Sequence, residues 1–215
     1  MRKNRVLILA LALVLLFGVS VGGTLAWLLD KTDPVVNTFT DSDINITLTE
    51  TDADGDQDAN KNGYQMIPGW TIDKDPIVTV KAGSEDCWVF IKVEETGGNV
   101  TVGNKTYGFD DFIDYEIDPN NWEQLKDAAG NLVPGVYVQT MPSKNITADR
   151  AIKVLLNNQV TVKDTVTKEM MNALNETGAT MPTLTFTAYA SQLMKNNDTE
   201  FTAYEAWVNV STATP

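Results

Sequence analysis

Histidine is absent from the 215-residue chain, and cysteine occurs once. Without an imidazole no Ser-His-Asp triad, Cys-His pair or HExxH zinc site can be assembled, because each needs a ring that titrates near neutrality or ligates zinc. With Cys87 alone no intramolecular disulfide can form, even in an oxidising compartment. Cys87 opens the run CWVFIKVEE, where it alternates with Val89, Ile91 and Val93, and it is read as a buried, inert thiol. Paired carboxylates could still support glycoside hydrolysis, but no spacing among the 29 acidic residues marks one pair as special, so they are read as solvated surface. No catalytic residue is assigned, and an enzyme is not expected.

Basic residues are scarce: 16 Lys and Arg stand against 29 Asp and Glu, a net charge of −13. Three of the cations, Arg2, Lys3 and Arg5, lie in the first 26 residues, so the remainder carries 13 basic and 29 acidic residues and a net charge of −16. A phosphate backbone needs a basic patch to neutralise it, which excludes nucleic acid as a partner. The acidic excess suits a self-repelling exterior and loops able to hold hard cations such as calcium.

Long apolar runs are missing everywhere but at the N-terminus. There the basic head is followed by nearly unbroken Leu, Val, Ala and Ile over residues 6–21. That is the layout of a secretory signal, and continued to Leu29 the run would also reach the roughly 20 residues that span a bilayer. The small residues Gly22, Gly23, Thr24 and Ala26 favour cleavage, placed at Ala26 and Trp27, over an uncleaved anchor. Lys31 sits between Asp30 and Asp33 and makes a weak stop-transfer signal. Signal peptidase is the implied first partner, with membrane contact only through the signal segment before cleavage. The expected organisation is a signal peptide at 1–26, an extended segment at 27–43 and one domain at 44–215, secreted to the extracellular matrix or the cell surface.

Strand patterns fill that domain: residues 44–49, 76–82, 87–95, 112–117, 136–140, 152–156 and 184–190 mostly alternate with period two. In the last, Leu184, Phe186, Ala188 and Ala190 point one way and Thr185, Thr187 and Tyr189 the other, as in a half-exposed antiparallel strand. Turn residues such as Pro68-Gly69, Gly97-Gly98-Asn99 and Pro134-Gly135 separate the runs. The pattern predicts an all-β domain, a β-sandwich with short helices in its connections. DTVTKEMMNALNETG offers one such helix, and Thr202 with Glu205 three residues on offers a capping box for a second, although WVNV could end extended.

The stretch 51–63, TDADGDQDANKNG, places Asp52, Asp54, Asp56 and Asp58 at every second position, followed by Asn60 and Asn62. From Asp58 the spacing D-x-N-x-N-G matches the first half of a calcium loop, in which oxygen ligands at alternate positions wrap one ion. Gly69 stands where the loop's bidentate Glu would be, so a flexible acidic hairpin loop is the competing reading and no other cofactor is expected.

GGTLAWLLD followed by NTFTDSDINITLTE resembles the N-terminus of the bacterial TasA and camelysin family, and MIPGWTIDKDPIVTVKAGSEDCWVFIKVEE, VTVKDTVTKEMMNAL and LTFTAYASQ resemble the wider group over most of the chain. The resemblance implies a signal cut by a dedicated peptidase, a jelly-roll sandwich and assembly into biofilm-matrix fibres. The metalloprotease activity attributed to camelysin is not carried over to a chain without histidine. The Asp-rich insertion is a departure from the family pattern.

The leading expectation is therefore a matrix subunit that donates a freed N-terminal strand to the next subunit's open sheet, with Val35, Val36, Phe39, Ile44, Ile46 and Leu48 as pocket fillers. An ordinary first strand paired within its own domain is the competing role for Ile44 to Leu48. The alternative function is a monomeric cell-surface binding module using the acidic loop, possible calcium, and an exposed Trp70 or Trp122.

Overall fold

Period-two alternation becomes antiparallel strand pairing in residues 43–55 and 62–212, the residues described by a computed structural model of the chain, with turns, loops and three short helices between the strands. The chain divides into two units, Met1–Asp41 and Ser42–Pro215, and all the described residues belong to the second. It is an all-β unit with a few short helices, and among its described residues no helix is long and apolar enough to cross a membrane.

One layer is built from two short three-stranded sheets joined end to end by the chain. In the first, β3 (Ile77–Val80) lies between β1 (Ile46–Thr49) and β10 (Arg150–Lys153); in the second, β11 (Leu155–Val162) lies between β2 (Thr71–Asp73) and β7 (Ile113–Ile117). The chain passes from β2 to β3 through residues 74–76 and from β10 to β11 through Val154, so the two sheets form one bent surface. Between the pairs Asp73↔Gln159 and Ile77↔Lys153, residues 154–158 face only residues 74–76, which forces a bulge. Asn157 and Asn158 absorb it in the left-handed region, at φ of 57° and 55°, a conformation that Asn tolerates better than most side chains. The amide of Lys74 donates to the Asn158 carbonyl at 2.8 Å and that of Val154 to the Pro76 carbonyl at 3.0 Å, closing the ladder across the bend.

The second layer runs β12 (Thr183–Gln192), β4 (Cys87–Thr96), β9 (Leu132–Gln139) and β8 (Trp122–Lys126). β4 pairs with β12 without a break over ten residues, from Thr96↔Thr183 to Cys87↔Gln192. Its Cys87, Val89, Ile91 and Val93 face the main core, where they meet Val78, Val80, Ile152 and Leu155 of the other layer. Both layers thus bury one apolar face against each other, at roughly 1.5–3 kcal/mol for each fully buried large side chain. Cys87 has no exposed surface, and burial pushes its thiol up to about 11, as expected of an inert core residue.

The opposite face of β4 is also covered. Phe90 packs with Leu125, Val136 and Val138 beneath the C-terminal helix, whose Ala206 is buried and whose Trp207 lies 5.5 Å from Phe90 and 5.3 Å from Tyr189 between ring centroids. The sequence leaves the Tyr189 side of β12 open to water; the helix corrects that by supplying an aromatic lid. This helix spans Ala203–Thr212, so WVNV is helical rather than extended. Its capping box is formed: the Thr202 amide donates to Glu205 at 2.9 Å and the Glu205 amide to the Thr202 hydroxyl at 3.3 Å.

Two earlier helices, α1 (Phe109–Phe112) and α2 (Lys168–Leu174), close a further cluster around Val100, Phe112, Val162 and Met170, next to the hairpin of β5 (Val100–Val102) and β6 (Lys105–Tyr107). The C-terminal helix is α3. Trp122, an exposed ligand contact in the binding-module expectation, is instead 2% exposed and donates its indole N–H to the Lys153 carbonyl at 2.7 Å. Trp70 is 60% exposed.

Candidate assembly groove

Each layer ends in an edge strand on the same side of the main core. β1 pairs only with β3, and β12 only with β4, among the described residues. No ladder joins β1 to β12, and the gap between them is a cavity of about 480 Å³ floored by Ile46, Leu48, Leu184, Phe186 and Ala188. These side chains also pack on the main core and are half-buried, so the groove is an extension of that core that the described residues leave open.

Among the described residues the edges of these sheets are protected unequally. β1, β2 and β10 are three or four residues long, β7 carries Asp114 and Glu116, and β8 carries Glu123 and Lys126 with a register shift between Gln124 and Lys126. Short length, charge and bulges are the usual devices that keep an edge from recruiting another strand. β12 has none of them: TLTFTAYASQ is ten residues without charge, proline or bulge. Its outer row of amides and carbonyls is the best pairing template on the described surface.

At one end the groove runs into a second cavity of about 530 Å³, lined by Met66, Ile72, Phe109, Ile113, Met171 and Met181; both cavities share Asn62, Lys74, Thr183 and Leu184. At the junction sits a polar cluster. Lys74, 9% exposed, donates to both oxygens of Glu50 at 3.0 and 2.9 Å, and the Tyr64 hydroxyl donates to the same carboxylate. The ammonium lies 5.4 Å from the Tyr64 ring centroid and 5.7 Å from that of Phe186, within cation–π range. Burial, and then the Glu50 carboxylate, push the Tyr64 hydroxyl far above the ordinary phenol range, so it stays a donor. Sequence reasoning missed Lys74, Glu50 and Tyr64, because only the β1–β3 register, with Thr49 opposite Ile77, brings Glu50 beside Lys74.

Of the expected donor residues, Ile46 and Leu48 are in β1, opposite Val80 and Val78 of their own chain, and Ile44 packs beside them on the main core. Within one chain these residues occupy the competing role, an ordinary first strand. Val35, Val36 and Phe39, and the cleavage residues Ala26 and Trp27, lie outside the described residues.

Of the expected metal ligands, Asp56, Asp58 and Asn60 also lie outside them. The others bind the loop's own backbone: Asp52 accepts from the Gly55 amide at 2.7 Å, Asp54 from the Gly63 amide at 2.6 Å, and Asn62 from the Ala53 amide at 2.7 Å. Among the described residues no three His, Cys, Asp or Glu side chains gather at metal-binding distance.

No family model, curated protein or solved structure matches the chain.

Proposed function

We propose that the chain is a secreted structural protein, the subunit of an extracellular fibre of the TasA and camelysin type, and that copies join when the N-terminal segment of one is laid as a strand along the open groove of the next. The observation that carries this is the unprotected β12 edge beside an apolar groove continuous with the core. An added strand would satisfy the amides and carbonyls of β12 that no described strand pairs, while its alternate side chains cover Leu184, Phe186 and Ala188. The donor is residues 27–43, whose Val35, Val36 and Phe39 are the groove-filling side chains; Ile44, Ile46 and Leu48 form the acceptor's own wall. A head-to-tail contact of this kind does not close and therefore generates filaments.

A jelly-roll arrangement is the finer fold reading. It is supported by the two layers of antiparallel strands, and by β4 standing between β12 and β9, its distant partners in sequence. Export through a cleaved signal is supported by the N-terminal sequence alone. Intact mass of the protein collected from culture medium tests it: a chain beginning at or next to Trp27 is expected, and a full-length chain retained in the membrane would overturn it. Sedimentation of the same material should show polymers growing with concentration, whereas a stable monomer at high concentration would refute the fibre.

The binding-module alternative keeps one supporting observation. A cavity of about 410 Å³ beside the Asp-rich loop is lined by Thr51, Ala53, Asp73, Asp75, Asn157 and Asn158, and the Asn158 side-chain oxygen there has no hydrogen-bond partner. Calorimetry with calcium tests this reading, and no heat at millimolar ion would end it.

A further inference from the structure

The groove along β12 is apolar towards both ends and charged at the junction. Ile46, Leu48 and Ala188 line one stretch, Met66 and Met181 the other, and Lys74 with Glu50 stands between them. We propose that this ion pair reads a polar side chain on the strand inserted by a second copy, that the side chain is Asn37, and that the contact sets the register of the inserted strand. The inference rests on the fibre reading and adds what selects one alignment over its neighbours.

The chemistry follows from the unmet capacity of the pair. An ammonium has three N–H donors, and Lys74 gives two to Glu50; the third has no acceptor among the described residues. The side chains are 10% and 14% exposed, so a strand laid over them would remove their remaining water. A Val or Leu placed there would leave a charged donor and carboxylate lone pairs unmet, which is costly in a desolvated site. A carboxylate would be repelled by Glu50. An amide carries both an acceptor oxygen and N–H donors, and so answers both partners at once.

The donor sequence carries the same pattern as the groove. With period two, Val35, Asn37 and Phe39 share one face of an inserted strand, apolar, polar, apolar, while Val36, Thr38 and Thr40 share the other. Val35 to Phe39 would extend about 13 Å at roughly 3.3 Å per residue. Reach is sufficient: residues 27–42 could extend up to roughly 55 Å, against about 33 Å for the whole of β12. A shift by one residue would turn Val35, Asn37 and Phe39 to solvent and face the groove with Val36, Thr38 and Thr40, and a shift by two would bring Val35 or Phe39 onto the ion pair.

The test uses protein harvested from culture medium and reads the critical concentration for filament growth. Asn37→Leu is expected to raise it roughly tenfold or more, Asn37→Gln less, and the outward-facing Thr38→Leu little. A second variant, Thr38→Cys with Thr185→Cys, leaves the ion pair intact and places thiols on the exposed side of the proposed strand pair. Oxidation should give a ladder of covalent multimers, since the native Cys87 is buried. If Asn37→Leu assembles like the unaltered chain while deletion of the residues before Asp43 abolishes filaments, the register contact is overturned and the fibre reading stands. Cross-links confined to single chains would overturn the second copy as occupant. Absence of filaments from the unaltered chain would overturn both.

Discussion

Gly97 meets a constraint that no other residue could satisfy. Its φ is 73°, and a Cβ there would stand 2.0 Å from the Met181 carbonyl oxygen, where β4 runs out against the start of β12. Gly97→Ala is expected to cost more than about 2 kcal/mol through combined strain and backbone clash. Gly83 provides the comparison: its φ is 84°, but nothing lies within 4 Å of an added Cβ, so Gly83→Ala should cost only the conformational strain, about 1 kcal/mol. Thermal unfolding of the two variants separates the effects. Glu205 is a second sensitive residue. The Lys195 ammonium, then the amide and hydroxyl of Thr202, hold its carboxyl at about 2. A folded-state value depressed below the free one stabilises the fold above the ordinary Glu range, and the contribution fades as pH falls towards 2. Acid should therefore loosen α3 between about pH 4.5 and 2, followed by the fluorescence of Trp207. Thr202→Ala should lower stability at neutral pH by about 1 kcal/mol and weaken that acid transition, because it removes one of the carboxyl's partners.

The elements show what was legible in the sequence and what was hidden. β4 and β12 were legible because unbroken alternation reports a strand with one face on a core; the helix cap Thr202 was legible because its partner lies three residues away. β8 was not, since the register shift after Gln124 spaces its buried Trp122 and Leu125 three apart and breaks period two. The same break hid Trp122's burial. β11 looked finished at Leu156, because Asn157-Asn158 reads as a turn; the asparagines are instead a bulge inside a strand that continues to Val162. Of the candidate groove, the apolar residues of β1 and β12 were visible one strand at a time, but their facing across a gap, and the Lys74–Glu50 pair at its junction, depend on pairings between distant segments. The unprotected β12 edge yields a prediction of its own. Ala188→Lys introduces an inward-facing charge of the kind that blocks edge pairing, at a half-exposed position whose long side chain can still reach water. The variant should fold with a melting temperature close to that of the unaltered protein and fail to form filaments.

At the scale of the whole molecule, a chain released at Trp27 would carry a net charge of −16 and repel its copies, so the proposed association needs a specific contact strong enough to work against that repulsion. Strand addition supplies that through a row of backbone hydrogen bonds with apolar burial beneath them. Raising salt should lower the concentration at which subunits associate, since it screens the repulsion without touching the strand pairing. The most direct measurement is negative-stain microscopy of two proteins prepared alike: the chain as released into the medium, and a chain shortened to begin at Asp43. Filaments from the first and dispersed particles of the second are the predicted outcome. Equal filaments from both, with the N-terminal segment gone, would contradict strand exchange.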